Sequence, residues 1–97
     1  MALTSDIIEF AAQVFYTAPE ILTDTRKRRH GLVRARYGVA LALHRRGWSY
    51  GKIGKTLGYC DHTTIHPGVQ KARAICEEDA NFARRVDRIA NFTGPNA

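Results

Sequence analysis

Three clusters of residues in this chain carry side chains capable of chemistry at short spacing. The first is Asp61-His62-Thr63-Thr64, which packs a carboxylate, an imidazole and two hydroxyl-methyl groups into one helical turn. Such a run can cap a helix and present hydrogen-bonding and methyl groups to a ligand. The plainer alternative is that Asp61 only caps and the threonines only decorate a first turn. The second cluster is Gly51-Lys52-Ile53-Gly54-Lys55-Thr56, which looks like part of a phosphate loop. That loop needs a glycine five residues before Gly54, where Ser49 stands, and a preceding strand that the pattern lacks. The third is Cys60, His62, His66 and Cys76, four residues of zinc-ligand type. On a continuous helix Cys76 would lie about 20 Å from Cys60, too far for one metal. A Cys60–His62 nucleophile pair is set aside as well, because a turn and a helix start account for both. No ATP, metal or other cofactor is therefore expected, and no enzyme.

The elements that must position these residues read as helices throughout. Ser5 is expected to cap a first helix whose Ile7, Ile8, Ala11, Val14 and Phe15 form an apolar stripe. Pro19 opens a short second helix, Pro-Glu-Ile-Leu. Residues 32–46 form a third, with Leu32, Val33, Tyr37, Ala40, Leu41 and His44 on one side and Val39 and Leu43 widening it. Gly38, Ala40 and Ala42 allow close helix packing, Gly47 stops the helix, and Trp48 is expected to anchor the turn in the core. Ser49 caps a helix through Leu57 with Ile53 and Leu57 inward, and Gly58-Tyr59-Cys60 makes a turn. Asp61 caps the next helix, whose buried stripe is Ile65, Val69, Ala72 and Cys76. A last helix from about Asp79 presents Phe82, Val86 and Ile89, and Gly94-Pro95 ends the fold. The expectation is one all-α domain, a compact bundle of about six helices, with its core in residues 3–91 and a frayed tail at 92–97.

Charge is segregated along the chain. Residues 1–25 carry four acidic residues and no Lys or Arg, whereas residues 26–73 carry twelve Lys or Arg against Asp61 alone. A block of +11 attracts polyanions through counterion release. No apolar run approaches the roughly 20 residues of a membrane span, and no secretory signal opens the sequence. A reducing cytoplasm is the expected setting, since two cysteines make no disulfide framework.

A short capped helix, a glycine turn and a second capped helix make a helix-turn-helix by arrangement. The first residues of its second helix meet base edges in the major groove. There a threonine methyl suits thymine, and Asp61 could accept from a cytosine amino group. The run Ile53-Gly54-Lys55-Thr56-Leu57-Gly58-Tyr59-Cys60-Asp61-His62-Thr63-Thr64-Ile65 resembles the signature of the C-terminal DNA-binding domain of the bacterial replication initiator DnaA. The order of elements is similar over residues 3–91. The resemblance implies a six- or seven-helix fold in which Asp61, His62 and Thr63 read bases and Thr64 helps hold the backbone. It further implies that one of Lys27, Arg28 and Arg29 enters the adjacent minor groove, and that Ser49, Lys52 and Lys71 lie near phosphates. Lys55 joins that phosphate set, and Arg45 and Arg46 do so on charge grounds.

The chain departs from the family pattern in three places. Cys60 replaces a basic residue, Tyr50-Gly51 replaces a hydrophobic-Pro pair, and His66-Pro67-Gly68 follows the reading residues. Proline in a helix interior costs about 3 kcal/mol, so a kink or a restarted helix is predicted near His66. The expected function is sequence-specific binding of double-stranded DNA in a bacterial or phage setting, in the cytoplasm at the nucleoid. In the absence of the family's motor domain, transcription regulation is the favoured role. Replication-origin binding or competition with the initiator is the alternative, and RNA polymerase or another regulatory protein is a candidate second partner. From another class, the acidic first helix could dock the domain on a protein.

Overall fold

Regular structure among the described residues, 3–59 and 62–94 of this computed structural model, consists of six α-helices and one 3-10 turn, without strands. The helices are α1 (Thr4–Val14), α2 (Pro19–Leu22), α3 (His30–Arg45), α4 (Tyr50–Leu57), α5 (Ile65–Glu78) and α6 (Ala80–Ala90). The 3-10 turn, His62–Thr64, leads directly into α5. The all-α bundle predicted from periodicity is therefore the fold. A radius of gyration of 12.0 Å is what full collapse of a chain this long gives, about 12–13 Å. No described helix is long and apolar enough to cross a membrane.

Helix α3 is the hub, packing against α2, α4, α5 and α6, while α1 lies on α2 and α6. Its inward residues Ala35, Val39, Ala40, Leu41, Ala42 and Leu43 are all buried. They meet Ile53 and Leu57 from α4, Ile65, Val69 and Ala72 from α5, and Phe82, Val86 and Ile89 from α6. Two glycines set how closely the helices approach. A Cβ on Gly38 would stand 2.8 Å from Phe82 Cζ, and one on Gly68 only 2.6 Å from Tyr37 Cδ1. Rings thus occupy the space that side chains would otherwise take.

Several sequence expectations shift. Helix α1 begins at Thr4 with Leu3 at its N-cap, so Ser5 lies inside the first turn rather than capping it. Helix α3 starts two residues before the predicted position, because the extended backbone of Arg29 allows His30 to open the helix. Leu32, Val33, Tyr37, His44 and Trp48 are half-buried, at the edge of the core rather than its centre. Cys76 is also half-buried, a free thiol whose pKa is raised mainly by burial. Ser49 does cap α4, its hydroxyl oxygen accepting from the Lys52 amide at 3.2 Å. Gly47 and Gly58 close α3 and α4 with φ of +89° and +86°. The Asp61 cap, Cys60 and Pro95 lie outside the described residues.

Arg36 is the unexpected core member. It is 2% exposed, and its guanidinium donates to the carbonyls of Leu22 (2.7 Å), Lys27 (2.6 Å), Ile21 (3.1 Å) and Asp24 (2.5 Å). One side chain therefore gathers α2 and the basic connector after it onto α3. Arg36→Met, which retains apolar length but no donor, should destabilise the fold by at least ~3 kcal/mol, since each orphaned buried carbonyl costs about 1–3 kcal/mol. Urea unfolding measures this, and a loss under ~1 kcal/mol would mean that water replaces the guanidinium without penalty.

Asp79 joins α6 to α3. Its carboxylate caps α6 by accepting from the Phe82 amide at 3.1 Å and pairs with Arg34 at 2.7 Å. The backbone bond from Phe82, then the bond from Arg34, hold its pKa below the ordinary carboxylate value. The resulting stabilisation is complete above the unfolded-state pKa of about 3.9 and is lost as pH falls through the lower folded value. An Asp79→Asn variant should accordingly show a smaller loss of stability than the parent between neutral pH and pH ~2, followed by circular dichroism.

Candidate functional site

The buried Ile53 and Leu57 orient α4 so that Lys52, Lys55 and Ser49 face outward. All of Gly51 to Thr56 lies within α4. The apparent phosphate-loop run is therefore helix, and its backbone is committed to helical hydrogen bonding instead of an anion cradle. Lys52 Nζ sits 4.0 Å from the centre of the Trp48 ring, which holds that cation beside the α3–α4 turn.

After the Gly58 turn, His62, Thr63 and Thr64 form the 3-10 turn, and buried Ile65 anchors the start of α5. Thr63 and Thr64 are exposed. Pro67 does not interrupt a helix interior. It is the third residue of α5, where the missing N–H has no helical acceptor to serve. The predicted restart near His66 takes the form of the 3-10-to-α junction at Ile65. Tyr50, at the first position of α4, stacks on His44 at 4.9 Å and meets the edge of His66 at 5.6 Å. Tyr50 thus braces the first turn of α5. His66 in turn lies 3.4 Å from the Gln70 amide nitrogen.

The segment that leads into the basic connector lies against the Gly58 turn. Arg36 binds the Asp24 and Lys27 carbonyls, and the Lys27 amide donates to the Asp24 carbonyl at 3.0 Å. The Thr25 hydroxyl donates to the Gly58 carbonyl at 3.2 Å, across 33 residues of sequence. A Cβ at Gly58 would collide with the Thr23 carbonyl oxygen, so only glycine permits this approach. Tyr59, next along, has its phenol pKa raised by burial, with the charges of Arg36 and Arg28 opposing. Lys27, Arg28 and Arg29 themselves are exposed. The structure therefore tethers the basic connector to the segment that leads into His62.

The twelve cations of residues 26–73 divide by role. Arg26 pairs with Asp24 (3.0 Å), Arg34 with Asp79 (2.7 Å) and Arg45 with Asp87 (2.7 Å). Arg36 binds the carbonyls already named. Arg46 donates through Nη1 to the carbonyls of Ile89 (3.2 Å), Ala90 (3.0 Å) and Phe92 (2.7 Å). Arg45 and Arg46, expected at phosphates, both reach toward α6 in the free protein, Arg46 satisfying carbonyls that the helix end leaves open. Lys27, Arg28, Arg29, Lys52, Lys55, Lys71 and Arg73 remain, and all seven are exposed. Six of them are residues the sequence assigned to nucleic-acid contact. Arg73 is the addition, an exposed cation of α5 on the opposite side of buried Ala72 from Lys71.

Arg36 was legible in principle too, because it stands four residues from both Leu32 and Ala40 on the inward register of α3. Counting it with the basic field hid that register. The position of Pro67 has a direct test. Pro67→Ala should change stability by no more than ~1 kcal/mol, the size of an unfolded-state effect, whereas a helix-interior proline would yield a gain of about 3 kcal/mol. Thermal and urea unfolding distinguish these. No family model, curated protein or solved structure matches the chain.

Proposed function

We propose that this chain is a sequence-specific binder of double-stranded DNA, with α4 and α5 acting as a helix-turn-helix resembling that of the DnaA C-terminal domain. The observation that carries the reading is the tethering of the Lys27–Arg29 connector to the turn before His62. A reading head in the major groove needs a neighbouring group to engage the next groove or backbone, and the tether keeps the connector close to the Gly58 turn. In this reading Asp61, His62 and Thr63 meet base edges. One of Lys27, Arg28 and Arg29 enters the minor groove, and Thr64, Ser49, Lys52, Lys55, Lys71 and Arg73 approach phosphates. The last four cations supply position and affinity, while the head supplies sequence preference. Transcription regulation is the role in which we place such a domain.

Duplexes selected from random DNA provide the test. Affinity for the selected site should fall steeply with salt, with a log–log slope of about −5 for some six neutralised phosphates. His62→Ala or Thr63→Ala should cost ~1–3 kcal/mol of discrimination against scrambled duplex. Replacing Lys27, Arg28 and Arg29 together by alanine should weaken binding to every duplex and make the slope shallower by roughly 2 to 3. A slope near zero, or specificity unchanged in both head variants, would sink the proposal.

A further inference from the structure

A cleft of about 560 Å³ opens between the end of α1, α2, α3 and α6. Phe15 and Phe82, 5.8 Å apart and tilted, form its aromatic base, and Ile21 and Leu32 contribute an apolar wall. Among the described residues the exposed large hydrophobics are Leu3, Tyr16 and Ile21, and two of these three line this one cleft. Scattered exposed apolar residues are ordinary, but their convergence on a concavity is not.

Tyr16 makes the strongest case. It is 84% exposed, so its ring contributes little to the core, and it is held at φ +59°. Its position follows the C-cap of α1, where the Tyr16 amide donates to the Gln13 carbonyl (3.1 Å) and the Thr17 amide to the Ala12 carbonyl (2.8 Å). Glycine or asparagine closes a helix this way with less strain. The tyrosine therefore places an aromatic ring on the rim at a backbone cost that the fold itself does not require. Arg85 stands 5.2 Å from that ring centre and 5.9 Å from that of Phe15. Arg29 and Arg34 also line the cleft, against the single carboxylate of Asp79. Asp79 is already paired with Arg34, which leaves a positive concavity with an apolar interior.

We infer that this cleft binds an acidic peptide segment of a partner protein, which inserts one aromatic or long aliphatic side chain against Tyr16 and Leu32. Carboxylates flanking that anchor pair with Arg85 and Arg29. Arginine and tyrosine are the side chains that dominate such contacts, and the volume suits a few side chains. A sugar–phosphate backbone fits less well, since it offers no apolar side chain for the Ile21–Leu32 wall. Arg29 is shared with the basic connector, so the test rests on Tyr16 and Arg85, which the DNA-binding reading does not use, and contains no duplex.

The intact chain is panned against a random-sequence peptide display library. Enriched peptides should carry Asp or Glu beside Phe, Trp, Tyr, Leu or Ile. The leading peptide, measured by fluorescence anisotropy, should bind Tyr16→Gly and Arg85→Ala at least about tenfold more weakly than the parent. Tyr16→Gly removes the ring while relieving the backbone, so its helical circular dichroism should match the parent's. Lack of enrichment, enrichment of basic or uncharged peptides, or equal binding by both variants would overturn the inference. So would displacement of the peptide by labelled oligothymidine with the same dependence on Tyr16, which would identify a single-stranded nucleic-acid site instead.

Discussion

The four carbonyl bonds of the buried Arg36 guanidinium are the contact on which the candidate site depends. The stretch from Ile21 to Lys27 has little apolar surface of its own beyond Ile21 and Leu22, and its carbonyls need donors once it lies on α3. Guanidinium is suited to this, because its planar fork directs five donors from one charge. Burying that charge is expensive unless oriented dipoles surround it. Four backbone carbonyls supply those dipoles, so the charge and the loop stabilise each other.

The positions of the other parts follow from that attachment. With Asp24 and Lys27 held, Thr25 can reach the Gly58 carbonyl, and Gly58 can pass close to Thr23. The turn ahead of His62 is thereby placed beside the basic connector, although Thr25 and Gly58 are 33 residues apart, with all of α3 and α4 between them. From the other side, Tyr50 supports His66, and Gly68 lets α5 settle against Tyr37. The first turn of α5 is thus gripped by aromatic rings on two sides, which fixes its angle against the rest of the fold.

The arginines of residues 26–73 work in three distinct ways. Arg36 and Arg46 satisfy backbone carbonyls, Arg26, Arg34 and Arg45 pair with carboxylates, and Arg28, Arg29 and Arg73 stay exposed. The surface field is therefore weaker than the sequence count implies, but more localised. The three exposed ion pairs add little to stability individually. Their larger effect is to leave the unpaired cations on the connector, α4 and α5, which sharpens the charge asymmetry that a polyanion would meet.

Helical periodicity, with Pro19 marking the short second helix, determined the number, order and approximate limits of the helices, because apolar residues recurring every three or four positions can be buried only on one face. It also identified Ser49, Gly47 and Gly58 as boundary residues, since capping and left-handed turns are local chemistry. Which cations face solvent was decided only by tertiary structure. Arg36, Arg46 and Lys55 are all cations in the basic block, yet their fates depend on carbonyls and carboxylates distant in the chain. The same holds for Pro67: its conformational restriction is local, but whether it breaks a helix or opens one depends on where packing of Ile65 starts α5. Sequence specifies what each residue can do with its neighbours, and long-range contacts select among those capacities.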